Sequence, residues 1–199
     1  DRADLEKYHE DLIVCSACIA GEVPSKIIKG DIEGAREACE WYHRVFGDDY
    51  YLELQRHEVK DPSILANREA FPLQQKANKV LLQFAKEYGI KVICTNDVHF
   101  EDKETAEAHD HLLCLATGKD LDDPYRMRYS KQEWFKTKAE MNDIFKDIPE
   151  ALSNTLEILD KVEIYSIDHG PIMPFFPIPE SFGTEEEWRK KFSKEDLYK

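Results

Sequence analysis

Ile90-Lys91-Val92-Ile93-Cys94-Thr95-Asn96-Asp97-Val98-His99-Phe100 decides how this 199-residue chain is read. The run from Ile90 to Cys94 has the apolar character of a buried strand, and the helical pattern before it closes at Gly89. Alternate side chains of a strand share a face, so Asp97 and His99 can point the same way from its C-terminal end. One carboxylate and one imidazole then converge, the oxygen-nitrogen pairing of zinc, manganese or non-haem iron sites. The mouth of a parallel barrel is where such a pair meets substrate. The same Asp-x-His step also occurs in ordinary turns, with Asp capping the next helix and His half exposed, and spacing alone leaves both readings open.

Outward from that strand, strands and helices alternate. Asp11 to Cys15 reads as a short strand, followed by a helix with Pro24 at its first position and a stop at Gly30. A longer helix starts after Asp31 as N-cap, carries Ile32, Ala35, Cys39 and Tyr42 on one face, and ends before Gly47. Tyr50 to Gln55 is the next strand. Leu73, Ala77, Leu81, Phe84 and Tyr88 then mark an amphipathic helix closed by Gly89. Repeated strand-helix units give an α/β fold with a parallel sheet or barrel. About three units are visible, where a closed barrel takes on the order of 250 residues, so the chain is expected to lack part of its barrel.

Helices are predicted over 103–117, from the capping box at Thr137 to Glu140 to near Phe145, and from about Ile148 to Lys161. Pro171, Pro174, Pro177 and Pro179 set an extended exit, with a weakly packed helix near Glu185 to Phe192.

Composition limits function. Lys and Arg number 27 against 41 Asp and Glu, a formal net charge of −14. Such a surface repels phosphate backbones, which argues against a strong sequence-independent grip on DNA. No run of 18 apolar residues and no signal-peptide pattern is found, so the expectation is a cytoplasmic protein with no membrane role. The five cysteines, with Cys39, Cys94 and Cys114 inside apolar patterns, read as reduced thiols. Cys15-x-x-Cys18 has no second pair, and the strand period separates the two, which argues against a zinc knuckle.

Several separate motifs, in order, resemble one family. They are Cys15-Ser16-Ala17-Cys18-Ile19-Ala20-Gly21-Glu22, Tyr51-Leu52-Glu53-Leu54-Gln55-Arg56-His57, Asn96 to Phe100, Ala108-His109-Asp110, Leu121 to Pro124, Arg126 to Tyr129 and Asp147 to Thr155. Over about residues 11 to 179 the chain resembles the PHP (polymerase and histidinol phosphatase) domain of bacterial replicative DNA polymerase III alpha subunits, and ordered agreement is more specific than any one motif. The resemblance implies a partial PHP-type (βα)7 barrel of parallel strands with flanking helices, lacking its N-terminal units. Residues 1–170 would be the C-terminal portion of that domain and 171–199 the exit toward the polymerase region.

The resemblance also implies roles. Cys18, Asp97 and His99 would be metal ligands for Zn or Mn, with most of the family's polynuclear shell outside this segment and metal binding here weak or absent. The parent would use Mg at a polymerase site beyond this chain. Partners would be the rest of the alpha subunit, the proofreading exonuclease subunit, other replisome subunits, and DNA through the parent. Two functions stay open: a metal-dependent phosphoesterase acting on 3′ ends, or a scaffold that stabilises the polymerase and docks the exonuclease. A stand-alone barrel metal hydrolase is a third, and would need its own opening histidine pair.

Other polar residues carry weaker signals. Glu53, Gln55 and His57 share a strand face and either line the same mouth or form a hydrogen-bonded ladder. His109 and His111, about 200° apart on a helix, are not placed to share one ion. His9, His43 and His169 are expected to be exposed. Arg126 and Arg128 suit a phosphate or an interdomain contact.

Overall fold

Extended backbone pairs over three short stretches: β1 (Val14–Cys15), β2 (Tyr50–Leu54) and β3 (Val92–Cys94). This computed structural model describes residues 1–59, 66–174, 181 and 183–192. The strands are parallel and lie in the order β1-β2-β3, with Val14 opposite Tyr50, Leu52 opposite Val92 and Leu54 opposite Cys94. Consecutive order without reversal is the winding of a barrel; a doubly wound sheet would reverse at a switch point. The crossovers are helical, as parallel pairing requires: α2 (Glu22–Lys29) and α3 (Ile32–Phe46) join β1 to β2, and α4 (Ala66–Tyr88) joins β2 to β3.

Local chemistry sets the boundaries. The Asp31 side chain accepts from Gly34 N–H at 3.0 Å and opens α3, while Gly30 and Gly89, at φ +87° and +70°, close α2 and α4 in a conformation that a β-carbon disfavours. The first strand is shorter than the sequence predicts. Asp11 turns into the left-handed region at φ +60° and Leu12 is exposed, so pairing begins only at Val14. Pro24 stands third in its helix rather than first, still among the positions whose N–H lacks an intrahelical partner. Helix α4 begins at Ala66, ahead of Leu73, and runs through Pro72. Helix α1 (Arg2–Lys7) was not predicted; Arg2 reaches Glu22 at 2.6 Å, and Trp41 donates to Glu6 at 2.9 Å.

Leu52, Leu54, Val92 and Cys94 face the helices and pack with Ile27, Ala35, Cys39, Leu81 and Phe84. Each fully buried Leu or Phe contributes about 1.5–3 kcal/mol of apolar transfer. After β3 the chain forms α5 (Ala106–Thr117), α6 (Lys138–Ile144) and α7 (Pro149–Lys161), close to the predicted spans, with the Thr137–Glu140 capping box present. Phe145, Ile148 and Ala151 join the same core. The Asn154 amide donates to the Val92 carbonyl at 2.8 Å. In this register the Val92 peptide groups point away from β2, so the amide satisfies a group on the outer edge of β3.

Residues Asp1–Glu163 form one compact unit and Ile164–Lys199 a second. Within the second, 164–174 has no regular secondary structure, and α8 (Glu185–Lys191) is capped by Thr184 with Glu187 and carries Trp188 stacked on Phe192. Pro177 and Pro179 lie outside the described residues. The parallel sheet with flanking helices is the α/β architecture expected from sequence.

Candidate functional site

Past β3 the backbone turns at Asp97, whose φ of +47° is left-handed and tolerated by Asp better than by most residues with a β-carbon. The turn brings His99 Nε2 to 3.5 Å from Asp97 Oδ1, each side chain about one-third exposed. Residues 130–136 clamp this turn. His99 N–H donates to the Glu133 carbonyl at 2.8 Å, the Asn96 amide donates to the carbonyls of Gln132 and Trp134 at 2.9 and 2.8 Å, and Phe100 bridges Trp134. Lys136 donates to Asn96 Oδ1 and to the Gln132 carbonyl, with its ammonium 3.5 Å from the centre of the Trp134 ring. Burial pushes this lysine down to about 8, against the pull of Glu133 and Glu140.

Beneath the turn lies a buried polar network. His57 donates its backbone N–H to Gln74 Oε1 at 2.8 Å, which orients the Gln74 amide so that its nitrogen donates to His57 Nδ1 at 3.0 Å. His57 Nε2 lies 3.2 Å from the Asn96 carbonyl, an arrangement suited to the tautomer with hydrogen on Nε2. Glu133 Oε1 is 3.2 Å from His57 Nδ1 and accepts from the Ser130 hydroxyl and N–H at 2.6 and 3.0 Å. Burial alone would raise the Glu133 carboxyl, but His57 and Ser130 hold it down to about 2.

Cys18 lies on the loop from β1 to α2, after Ala17 at φ +63°. It lines a narrow cleft with Glu53, Gln55, Gln74 and Asn78. Glu53 and Gln55 also form a ladder: Gln55 donates to Glu53 at 3.4 Å and to Thr95 at 3.2 Å, and Thr95 donates to Glu53. A β-carbon on Gly21 would stand 2.2 Å from the Ser16 carbonyl and 3.1 Å from that of Cys18. Gly21→Ala is therefore expected to displace the loop and destabilise the chain by about 1–3 kcal/mol, read from the urea midpoint. Burial pushes the Cys15 and Cys94 thiols up to about 11, so both stay protonated and inert near neutrality.

Over the Asp97–His99 pair lies a group of half-buried rings. Tyr129 is 4.4 Å from His99, centre to centre, and 5.2 Å from His109, which also meets Phe100 at 5.1 Å. Burial raises the Tyr129 phenol, and Asp97, Glu133 and Cys18 push the same way, so all three lie within its electrostatic reach.

Of the sequence-derived candidates, Asp97 and His99 meet directly, Cys18, Glu53 and Gln55 line the neighbouring cleft, and His57 is buried in the network below. Oxygen and nitrogen at the Asp97–His99 turn suit a borderline divalent cation. Among the described residues, however, no three His, Cys, Asp or Glu side chains converge closely enough to hold one, so these residues do not by themselves complete a metal site. His169 is exposed, but His9 and His43 are half-buried, a correction to their expected exposure; His9 contacts the Glu6 carbonyl, and His43 Nδ1 is buried with no hydrogen-bond partner among the described residues. Arg126 grips Asp110 with two bonds of 2.6 and 2.8 Å, and Arg128 pairs with Glu69 at 3.2 Å. Sequence reading missed Glu133, Gln74 and Tyr129 as partners of the turn. Ser130-x-x-Glu133 has the capping-box spacing, used here to close a loop instead of starting a helix.

Comparison with known proteins gives this geometry a lineage. The PHP domain family matches residues 1–57. The DNA polymerase III subunit alpha of Borreliella burgdorferi is 38% identical over 199 residues, 99% of this chain and 16% of that protein. That of Campylobacter jejuni is 37% identical over 206 residues, 95% of this chain and 16% of its own length. That of Thermus aquaticus is 31% identical over 201 residues, 97% and 15%. The chain thus spans about one-sixth of the curated relatives it matches. With PHP sequence at its start and agreement along nearly all of its length, the chain belongs to the DNA polymerase III alpha-subunit family.

Proposed function

We propose that this chain supplies one side of a metal-dependent phosphoesterase centre in a PHP domain of the bacterial replicative DNA polymerase alpha subunit. Residues 1–170 are the C-terminal portion of that domain, and 171–199 lead toward the polymerase region. The observation that carries the reading is the Asp97–His99 pair, held at a strand end by a left-handed turn and clamped through the His99 N–H. Strained backbone held in place by surrounding bonds is a feature of functional sites. In this reading Asp97 and His99 bind Zn or Mn together with Cys18 and with donors from elsewhere in the intact domain. Such an ion, held by these residues, would supply polarisation of a phosphoester and activation of water. Polymerisation itself, with its Mg, belongs to another part of the parent.

The scaffold reading has its own support. Three donors do not converge among the described residues, and a net charge of −14 is unfavourable for holding DNA directly. A domain in this role would stabilise the polymerase and dock the proofreading exonuclease within the replisome. Asp97→Asn in the full-length alpha subunit separates the two. The phosphoesterase reading expects metal affinity to fall at least about tenfold by elemental analysis, with 3′-phosphoesterase activity falling alongside and nucleotide addition retained. Unchanged metal content would remove Asp97 as a ligand and leave the scaffold.

A further inference from the structure

We propose that His57 is a proton-operated switch: neutral, its Nδ1 accepts from Gln74 of α4; protonated, it donates to Glu133 of the 130–136 loop, and that loop then grips the Asp97–His99 turn more tightly. The inference goes beyond the phosphoesterase reading and does not depend on a bound metal. It starts from two partners that cannot both be served. Gln74 Nε2 stands 3.0 Å and Glu133 Oε1 3.2 Å from the same ring nitrogen. An amide N–H needs a lone pair there, whereas a carboxylate needs a hydrogen. The Gln74 amide is not free to reverse, because its Oε1 accepts from the His57 backbone N–H at 2.8 Å.

Nε2 faces the Asn96 carbonyl at 3.2 Å and carries hydrogen in both states, so only Nδ1 changes. With Nδ1 bare, a carboxylate oxygen faces its lone pair, both side chains being 3% exposed, while Glu133 keeps Ser130 and Gln132 as donors. With Nδ1 protonated, the same contact becomes a charge-assisted hydrogen bond, and Gln74 gives up one bond at the wall of the polar cleft it shares with Glu53 and Asn78. The ring touches both halves of the clamp. The Asn96 carbonyl immediately precedes Asp97, and the Glu133 carbonyl accepts from the His99 N–H. Among the described residues, Glu133 is the one ionisable side chain within hydrogen-bonding distance of the ring; α4 presents the Gln74 amide and the turn a carbonyl. Lys136, which burial lowers to about 8, acts on the same clamp through Asn96 Oδ1 and requires its own control.

The test follows amide hydrogen exchange at His99 and Phe100, both donors to the Glu133 carbonyl, by mass spectrometry of the full-length alpha subunit. The range is about pH 5 to about pH 8, where histidine changes charge. After division by intrinsic exchange rates, wild-type protection is expected to fall about tenfold as pH rises, the worth of a hydrogen bond to a charged group. His57→Gln abolishes the step. Gln74→Leu removes the neutral ring's partner and moves the step to higher pH; Glu133→Gln weakens the charged ring's partner and moves it to lower pH. Lys136→Met leaves it in place. A flat wild-type profile overturns the switch, as does a step that survives His57→Gln or vanishes in Lys136→Met. Should His57→Gln not fold, the opposed shifts of Gln74→Leu and Glu133→Gln carry the test, and shifts that are absent or of one sign overturn it.

Discussion

Glu133→Ala is expected to destabilise the chain by about 1–3 kcal/mol, since it leaves the buried Ser130 and Gln132 donors that the carboxylate satisfies without an acceptor. The carboxylate accepts from the Ser130 hydroxyl and N–H and from the Gln132 N–H at 2.9 Å, and it faces His57 Nδ1, with both side chains of that pair only 3% exposed. Because residues 130–136 also clamp Asn96 and His99, the loss reaches the candidate site. Urea unfolding gives the free energy, and metal binding by the intact parent should weaken with it. The same carboxyl predicts acid sensitivity. Its pKa falls from the usual 4.5 to about 2 in the folded chain. The unfolded state therefore binds the proton first as pH drops, so this stabilisation is complete above about 4.5 and is lost progressively as pH falls through about 2. Tryptophan fluorescence, with the Trp134 carbonyl accepting directly from the Asn96 amide, follows that transition. Glu133→Gln should flatten it, and an unchanged acid profile would show that the carboxylate carries no such linkage.

Arg126→Ala should lower the stability of the chain, because it leaves the Asp110 carboxylate without the guanidinium that grips it through two hydrogen bonds. Its two bonds of 2.6 and 2.8 Å join side chains only 9% and 10% exposed, and Arg126 also donates to the Leu121 carbonyl at 2.9 Å. The guanidinium holds the Asp110 carboxyl below its ordinary range, so truncation leaves an acid in a place that favours neither of its states. The expected consequence is local as well as global. The 118–129 loop comes loose from α5, cleavage there by a protease accelerates, and His109 loses its register against His99. A urea midpoint shifted by less than about 1 kcal/mol would place the pair among solvent-screened bridges instead.

Much of this fold was readable because its signals are local and repeated. Asp31 capping α3, glycines ending α2, α3, α4 and α5, and the apolar faces carrying Ala35, Cys39, Leu81 and Phe84 each report their element within a few residues. Strand order follows from the parallel crossovers those elements imply. Helix α1 escaped because six residues carry too little periodicity, and its anchors, Glu22 and Trp41, lie far along the chain. The site divides in the same way. Asp97 and His99 were legible because period two joins them within a single turn. Glu133 and Tyr129 were not, since they stand on a loop that returns to the turn some thirty residues later, and Gln74 reaches His57 from α4; contacts made through the fold in this way leave no trace in composition or spacing. Arg126 shows the same limit. The sequence offers Arg126 for a phosphate or an interdomain contact and gives no sign of Asp110, the α5 partner it grips.

The Asn154 amide on the Val92 carbonyl gives the sheet a direction of growth. A newcomer approaching the far side of β3 must first evict that side chain, while among the described residues no hydrogen bond engages the outward peptide groups of Cys15. Recruitment of further strands, whether from the parent or from a misfolded copy, is thereby steered to one flank, and Asn154→Ala would open the other to unwanted pairing.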